Sequence, residues 1–423
     1  MLKPEIQAAY IAILNEELVP ATGCTEPIAV AYAAAKLRQV LGAQPERVRA
    51  EISGNIIKNV KSVVVPNTGG LKGIKAAIAV GIVTGEADRE LEVISSVPAG
   101  RHEEIAAYME RTPMELVCPD TPRMLDIRLT GWAGGHSAVV HIANNHSNIV
   151  CIEKDGERLL EKPLENSSES GLTDKSILNL RDILDFAGTV ELSRVSGLLE
   201  RQIQYNSAIA EEGLRHDWGA NIGSTLLKTY GDDVRVEAKA WAAAGSDARM
   251  SGCEMPVVIN SGSGNQGITS SLPVVRYAKH LGATQEQLYR ALLVSDLVTI
   301  YQKAGIGRLS AYCGAVSAGV GAGAGIAYLQ GADYDAIGHT IINAVAILSG
   351  TICDGAKPSC AAKIAASVDA GLLGYQMYLS GRNFQGGDGI VGQDVGETVA
   401  NVGVLAKEGM RSTDRTILQI MTQ

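Results

Sequence analysis

The sequence contains few aromatic residues: they make up 4% of its 423 residues, with only 2 phenylalanines and 3 tryptophans. Small side chains take their place, since the chain has 47 glycines and long alanine runs within a composition that is 46% hydrophobic. A core of small side chains brings backbones close to one another and to any bound ligand. The length allows one large domain or several smaller ones.

Clusters of lysine and arginine are also missing, and the formal net charge is -9. We therefore expect no nucleic-acid partner, because a nucleic-acid backbone is bound by concentrated positive charge. The first residues lack the charged and apolar regions of a signal peptide, which predicts a cytoplasmic protein. The uncharged stretch 311–329 consists mostly of Gly, Ala and Ser, so we expect a buried helix there and no membrane partner.

The hydrophobic patterns predict an α+β fold. Helical spacing covers residues 4–42, with a break at 19–27 where Pro20 and Pro27 cannot continue a helix, and it returns after residue 173. Strands are predicted at 137–143, 148–153 and 157–160, separated by turns that suit an antiparallel meander. We expect a large, mainly helical catalytic body formed by residues 1–90 and 164–423, with a small antiparallel β subdomain inserted at 91–163.

The chain has 7 cysteines, an odd number, which in a reducing cytosol favours metal ligands, reactive thiols or buried side chains over disulfides. Cys313, Cys353 and Cys360 lie in glycine-rich turns beside Gly/Ala-rich helices. Cysteine thiolates hold iron-sulfur clusters, and a cube held by three of them keeps one iron open as a Lewis acid. Three unrelated buried thiols are the alternative on spacing alone, since C-x6-C matches no strong zinc or ferredoxin pattern.

Four further motifs accompany this cysteine set: Ala21-Thr-Gly-Cys-Thr-Glu-Pro27, Ser53-Gly-Asn-Ile-Ile-Lys-Asn-Val-Lys61, Pro66-Asn-Thr-Gly-Gly70 and Asn260-Ser-Gly-Ser-Gly-Asn-Gln-Gly267. Together they resemble the L-cysteine desulfidase family, which is similar in its C-terminal half to the α chain of the iron-sulfur L-serine dehydratases. The resemblance implies a 4Fe-4S cluster on Cys313, Cys353 and Cys360, with the fourth iron free for substrate. The serine-histidine-threonine motif typical of the dehydratase β portion is not seen, which favours cysteine over serine.

The implied reaction is a β-elimination on a small amino acid, most directly L-cysteine to pyruvate, ammonia and sulfide, with the open iron as Lewis acid. L-Serine dehydration on the same cluster is the alternative. Such a reaction needs a base for the α-proton, and Cys24 and Glu26 are the candidates. Cys24 is predicted at a helix N-terminus, which would lower the pKa of its thiol whether it is a base or an additional cluster ligand. Glu26 is alternatively a first-turn carboxylate that stabilises the helix dipole.

The substrate carboxylate needs fixed hydrogen-bond donors, and polar loops provide candidates. The predicted substrate-binding residues are Ser53, Asn55, Asn67, Thr68, Ser261, Ser263, Asn265 and Gln266. For each of them, capping of a local turn is the alternative. Lys58, Lys61 and Arg308 are candidate counter-charges or ordinary surface charges.

The remaining histidines and cysteines receive structural assignments. His136, His141 and His146 do not share the spacing of one strand face, so we expect surface histidines. Cys118 and Cys253 lie outside any motif, and Cys151 falls in a predicted strand and is expected in the core.

Two other functions remain open. A pyridoxal-phosphate eliminase would need a Schiff-base lysine, for which Lys239 and Lys357 are candidates without the usual sequence context. A non-enzymatic iron-sulfur sensor would need the cluster but not the polar loops. The sequence leaves open whether the chain forms a homo-oligomer.

Overall fold

The structure is a computed structural model that describes residues 2–121, 123–164, 172–231, 233–307 and 310–422. It has the predicted α+β fold with a large helical body. The described helices are α1 (Pro4–Glu17), α2 (Thr25–Leu41), α3 (Gly54–Val60), α4 (Gly73–Thr84), α5 (His102–Arg111), α6 (Leu180–Thr189), α7 (Ser196–Arg215), α8 (Ile222–Tyr230), α9 (Val234–Met250), α10 (Gly264–Leu281), α11 (Gln285–Ile306), α12 (Gly314–Leu329), α13 (Tyr334–Leu348), α14 (Ser359–Leu379), α15 (Val395–Val404) and α16 (Arg411–Thr422). The strands are β1 (Pro20–Thr22), β2 (Arg47–Ile52), β3 (Met114–Val117), β4 (Asp126–Ala133), β5 (His136–Ala143), β6 (Ile149–Lys154), β7 (Glu157–Glu161) and β8 (Pro256–Val258).

The larger sheet has the strand order β3-β2-β4-β5-β6-β7. Strands β5 to β7 form the predicted antiparallel meander, and β4 extends it by one further antiparallel strand. The larger sheet is mixed and extends beyond the predicted antiparallel unit, because β2, which precedes residue 91, is its second strand and pairs in parallel with β3. The cause is visible in β2, where Val48, Ala50 and Ile52 alternate with half-buried or exposed residues.

Helix α2 packs on this sheet and α4 packs on α2, and both helices belong to one hydrophobic cluster with the sheet. The two helices approach closely, since a side chain at Gly81 of α4 would lie 2.2 Å from the carbonyl oxygen of Ala31. A second, larger cluster fills the helical body. The sheet and the helical body therefore have separate hydrophobic clusters. The division of the chain at 91 and 164 stays a prediction.

The helical body is organised around α12, which packs against α10, α11, α13 and α14. Its glycines allow this, because a side chain at Gly319 would lie 2.3 Å from the carbonyl oxygen of Ser367 in α14. The segment 311–329 therefore contains a buried helix, as predicted. In the described ranges, no helix is both long and apolar enough to cross a membrane.

Candidate active site

The two cysteine-bearing turns are joined by backbone hydrogen bonds. The amide of Cys353 donates to the carbonyl of Ala311 over 2.6 Å, and the amide of Cys313 donates to the carbonyl of Thr351 over 3.0 Å. This short antiparallel bridge places Cys313, the residue before α12, beside Cys353. Cys360 is the second residue of α14, and the loop that leads to it lies against α3. Gly355 permits that approach, since a side chain there would lie 2.2 Å from the carbonyl oxygen of Lys58.

These turns open on a cavity of about 110 Å³. All three predicted cluster ligands line it, and so do Cys24 and Glu26. The other polar residues at its wall are Lys58, Asn59, Arg249, Ser263, Asn265, Gln266, Lys303, Ser310 and Tyr312. The predicted site therefore assembles from segments that are more than 300 residues apart in the chain.

The three thiols influence one another. The pKa of Cys353 is lowered to about 5, chiefly because the thiol of Cys313 donates a hydrogen bond to its sulfur, and Lys58 and Lys303 add positive charge. That same hydrogen bond, with burial, raises the pKa of Cys313. Burial raises the pKa of Cys360, and the neighbouring Cys353 raises it further. The cavity thus holds one sulfur that is ready to ionise and two that would ionise on binding a metal.

The three cavity thiols match the ligands that the implied 4Fe-4S cluster requires, as opposed to those of a single metal ion. In the part of the chain with described coordinates, no three His, Cys, Asp or Glu side chains are gathered closely enough to hold a single metal ion. A cluster makes a different demand, because each thiolate binds a separate iron at its own corner. Three thiols spread along one cavity wall, with lysines to balance the negative charge of a cluster, fit that demand.

The loop between Cys353 and Cys360 is stabilised by a local ion-pair group. Asp354 accepts hydrogen bonds from Lys357 and Lys363, each over 2.5 Å. Partial burial alone would raise the pKa of Asp354, but the two ammonium groups lower it to about 2. The carboxylate therefore remains ionised and keeps the loop in one conformation.

Cys24 and Glu26 reach the cavity through a second strand pair. Strand β1 pairs with β8, which places the turn containing Cys24 beside the segment that leads into α10. The thiol of Cys24 donates to Glu26 Oε2 over 2.9 Å, and Asn59 donates to Glu26 Oε1 over 3.1 Å. Cys24 and Glu26 therefore form a buried, hydrogen-bonded pair at the cavity wall.

The predicted direction of the Cys24 pKa was wrong. Cys24 does precede the first turn of α2, as expected, but burial and the adjacent Glu26 carboxylate raise the pKa of its thiol well above the usual value. Burial acts to raise the pKa of Glu26 too, yet His146 and the hydrogen bond from Cys24 leave that pKa below its ordinary value. Desolvation and a neighbouring anion outweigh the helix dipole here.

The first turn of α10 supplies the polar side of the cavity. Ser263, Asn265 and Gln266 line it, as predicted for substrate-binding residues. Gln266 Oε1, Tyr312 Oη and Arg249 Nε are buried and have no hydrogen-bond partner among the described residues. Unsatisfied buried polar groups are rare in proteins, so their concentration around one cavity indicates a polar ligand.

The other predicted substrate residues do not line the cavity. Ser53 donates to the carbonyl of Met124 over 2.8 Å, and Asn67 donates to the carbonyl of Ile94 over 2.9 Å. Thr68 donates to the carbonyl of Val65, and Ser261 donates to Asn260 Oδ1. Asn55 lies in the first turn of α3, outside the lining residues. The hydrogen bonds of the first four fit the alternative of local structural roles.

The structure also bears on the remaining histidines and on two candidate counter-charges. His141 is buried and its Nε2 lies 2.6 Å from Asp126 Oδ1, so the surface assignment was wrong for it, whereas His136 is exposed. His146 is partly buried and its charge acts on Glu26. Lys61 is exposed, and Arg308 lies outside the described residues.

Sequence reasoning missed Arg249, Lys303, Tyr312 and Asn59. Arg249 lies in the last turn of the alanine-rich helix α9, and a charged residue within such a helix is the one signal that could have identified it. Its Nη1 donates to Asn265 Oδ1 over 3.2 Å. Tyr312 and Asn59 each lie next to a residue that was considered, Cys313 and Lys58.

The chain is similar to proteins of one known family and to several relatives that match almost its whole length. The serine dehydratase alpha chain family matches residues 88–419. A UPF0597 protein of Desulfitobacterium hafniense is 56% identical over 412 residues, covering 97% of this chain and 96% of its own length. UPF0597 proteins of Lachnoclostridium phytofermentans and Treponema denticola are 52% and 48% identical, with 97% of this chain covered in each case and 98% and 97% of the relative. The names of these relatives state no activity.

Proposed function

We propose that this chain, which belongs to the serine dehydratase alpha chain family, is a lyase that converts L-cysteine to pyruvate, ammonia and sulfide. The observation that carries the proposal is the meeting of three thiols and three unsatisfied polar atoms at one small cavity. The membership supports serine dehydratase-like chemistry. The L-cysteine desulfidase assignment rests on the motifs around Cys24, Ser53, Pro66 and Asn260 and on the cysteine set.

Cys313, Cys353 and Cys360 would hold a 4Fe-4S cluster, which supplies a Lewis acid for the leaving group when bound. Side chains of the protein carry out the proton transfers. The pair of Cys24 and Glu26 shares one proton between Sγ and Oε2. Because burial and the Glu26 carboxylate raise the pKa of Cys24, the thiolate that forms transiently when Glu26 accepts this proton is a strong base for the α-proton of the substrate. In this scheme Cys24 is the base and Glu26 its proton acceptor.

The polar side of the cavity holds the substrate in place. Ser263, Asn265 and Gln266 provide hydroxyl, amide and backbone N–H groups at the start of α10. Loss of the β-substituent after proton removal gives aminoacrylate, whose imine tautomer takes up water to form pyruvate and ammonia. Sulfur is a softer ligand than oxygen, which favours cysteine as the substrate.

L-Serine dehydration is the second candidate, and the family match favours it directly because the family is named for serine dehydratases. The same residues would serve, with water as the leaving group in place of sulfide. The two proposals differ only in the β-substituent. We also propose a cytoplasmic location, where thiols stay reduced.

The test is anaerobic purification with iron and sulfide reconstitution, followed by assays of pyruvate and sulfide on L-cysteine and of pyruvate on L-serine. We expect iron, acid-labile sulfide and faster turnover of cysteine. Faster turnover of serine would establish the second candidate. A cluster-loaded protein that turns over neither substrate would overturn both and support a sensor.

Pyridoxal phosphate is measured in the same preparation. Of the two lysines considered for a Schiff base, Lys239 pairs with Asp369 over 2.9 Å and Lys357 pairs with Asp354. Neither lines the cavity. Stoichiometric pyridoxal phosphate with elimination activity and no iron would replace the iron-sulfur proposal.

A further inference from the structure

Arg249 is a buried arginine with an incomplete set of partners. It lies near the end of α9, its side chain is 4% exposed, and it lines the cavity. A buried guanidinium is normally paired, because removing its charge from water is unfavourable. Here Nη1 donates to the neutral amide of Asn265, and Nε has no hydrogen-bond partner among the described residues. The donor is therefore available to a ligand in the cavity.

The guanidinium lies directly against the first residue of α10. A side chain at Gly264 would come within 2.3 Å of Arg249 Nε, so the glycine is required for this contact. The first turn of a helix carries unpaired N–H groups and partial positive charge, which favour an anion. Arg249 and the start of α10 thus direct positive charge to the same part of the cavity.

The charges around the cavity are divided between its two sides. Lys58 is paired with Asp414 over 2.5 Å and acts on Cys353, on the side of the cluster-binding thiols. Arg249 acts on Cys24 and Glu26, on the side of the proposed base. A negatively charged group held by Arg249 would therefore lie next to the residues that remove the α-proton.

We infer that Arg249, together with the first turn of α10, binds the carboxylate of the substrate. This inference rests on the proposed function. It specifies the substrate class: small amino acids with a free carboxylate bind well, and amides or peptides with that group blocked bind more weakly. A planar guanidinium suits this purpose because it can donate two parallel hydrogen bonds to a carboxylate.

The test compares two ligands that lack a leaving group, L-alanine and L-alaninamide. Their binding to the anaerobically reconstituted protein is measured by calorimetry for the wild type, Arg249→Gln and Arg249→Lys. We expect Arg249→Gln to weaken the binding of L-alanine at least about tenfold, with little change in the binding of L-alaninamide. Arg249→Lys should retain part of the preference, since it keeps the charge but loses the paired donors.

Controls separate this role from folding. Arg276→Gln is the matched control, because Arg276 is a largely buried arginine that pairs with Glu237 away from the cavity, and its variant should bind both ligands as the wild type does. Iron content is measured for every variant. If Arg249→Gln does not fold, Gly264→Ala takes its place, since the added methyl would displace the guanidinium without removing its charge.

The outcomes are distinct. The inference would be overturned if Arg249→Gln weakened the binding of both ligands equally, or if it left the binding of L-alanine unchanged. Wild-type turnover of L-cysteine and L-serine is measured on the same preparation. Absence of both activities would overturn the proposed function, whereas activity with unchanged L-alanine binding in Arg249→Gln would overturn the inference alone.

Discussion

Residues 66–70 and residues 260–267 are similar polar, glycine-rich segments, yet they use their polar groups differently. In the first segment Asn67 and Thr68 donate to nearby backbone carbonyls and do not line the cavity. In the second, Ser263, Asn265 and Gln266 face the cavity, and Gln266 Oε1 has no hydrogen-bond partner among the described residues. This difference shows that the amino-acid composition of a loop does not by itself identify a binding loop. The useful criterion is whether the chain itself satisfies the polar groups.

The second segment is free to face the cavity because a buried carboxylate anchors its beginning. Asp296 of α11 accepts hydrogen bonds from Asn260 over 3.0 Å, from Ser270 over 2.7 Å and from Gln202 over 3.0 Å. In the first segment, Thr68 instead donates to the carbonyl of Val65 and accepts from the amide of Leu71, the residues on either side of the segment. A rigid base thus leaves the following residues available for a ligand.

The largest effect should come from the thiols that line the cavity together with residues of the second segment. Replacing Cys353 by alanine removes the sulfur that ionises most readily, so we expect loss of iron binding and at least about a 100-fold fall in turnover. Iron analysis and a sulfide assay check this. Cys118→Ala is the control, because Cys118 is exposed and lies outside the cavity. Full iron content in Cys353→Ala would contradict the ligand assignment.

The next effect should separate the two segments directly. Gln266→Ala removes a polar group that faces the cavity, so we expect kcat/KM for the amino acid to fall by about 10- to 100-fold with the cluster retained. Steady-state kinetics on protein of matched iron content measures it. An unchanged kcat/KM would remove the distinction between the segments.

Thr68→Val is the converse substitution in residues 66–70. It leaves the amide of Leu71 and the carbonyl of Val65 without a side-chain partner in a buried turn, so we expect the free energy of unfolding to fall by about 1–2 kcal/mol. Kinetic constants should stay as in the wild type. Urea denaturation gives the stability. A selective rise in KM without loss of stability would return Thr68 to the substrate site.

The smallest expected effect is a pH dependence of stability caused by Asp296, the carboxylate that anchors the start of residues 260–267. Burial raises the pKa of Asp296 to about 6, despite hydrogen bonds that act to lower it. A carboxyl group whose pKa is raised on folding destabilises the folded state when ionised, so its contribution to stability improves as the pH falls through 6. From pH 7 to pH 5 this amounts to about 1 kcal/mol.

Asp296→Asn should lack this pH dependence. The measured quantity is the free energy of unfolding of the wild type minus that of the variant, determined at several values between pH 7 and pH 5. We expect the difference to shift in favour of the wild type as the pH falls. A difference that stays constant would show that Asp296 does not titrate in this range.

Local patterns allowed much of the fold to be predicted from the sequence. The break between α1 and α2 follows from Pro20, whereas Pro27 is accommodated in the first turn of α2. The strands β5 to β7 follow from alternating apolar residues and turns. The short strand β2 was not predicted, although the apolar residues Val48, Ala50 and Ile52 alternate with polar ones. The polar turns that follow it led to a prediction of loops in this part of the chain. The parallel partner β3 lies more than sixty residues away from β2, which no local pattern reports.

The site could be predicted less completely. Cys313, Cys353 and Cys360 stand out by residue type, and they do line one cavity. Arg249 carries no motif and reaches the cavity only through the packing of α9 against α10. The raised pKa of Cys24 likewise depends on burial and on a neighbouring carboxylate, which are properties of the folded chain.

The most direct test of the central claim is a Mössbauer spectrum of the anaerobically reconstituted protein, recorded with and without L-cysteine. The account predicts a 4Fe-4S spectrum in which one iron differs from the other three and changes when the amino acid is added. A protein that binds no cluster, or one whose irons are all unaffected by L-cysteine and by L-serine, would contradict it.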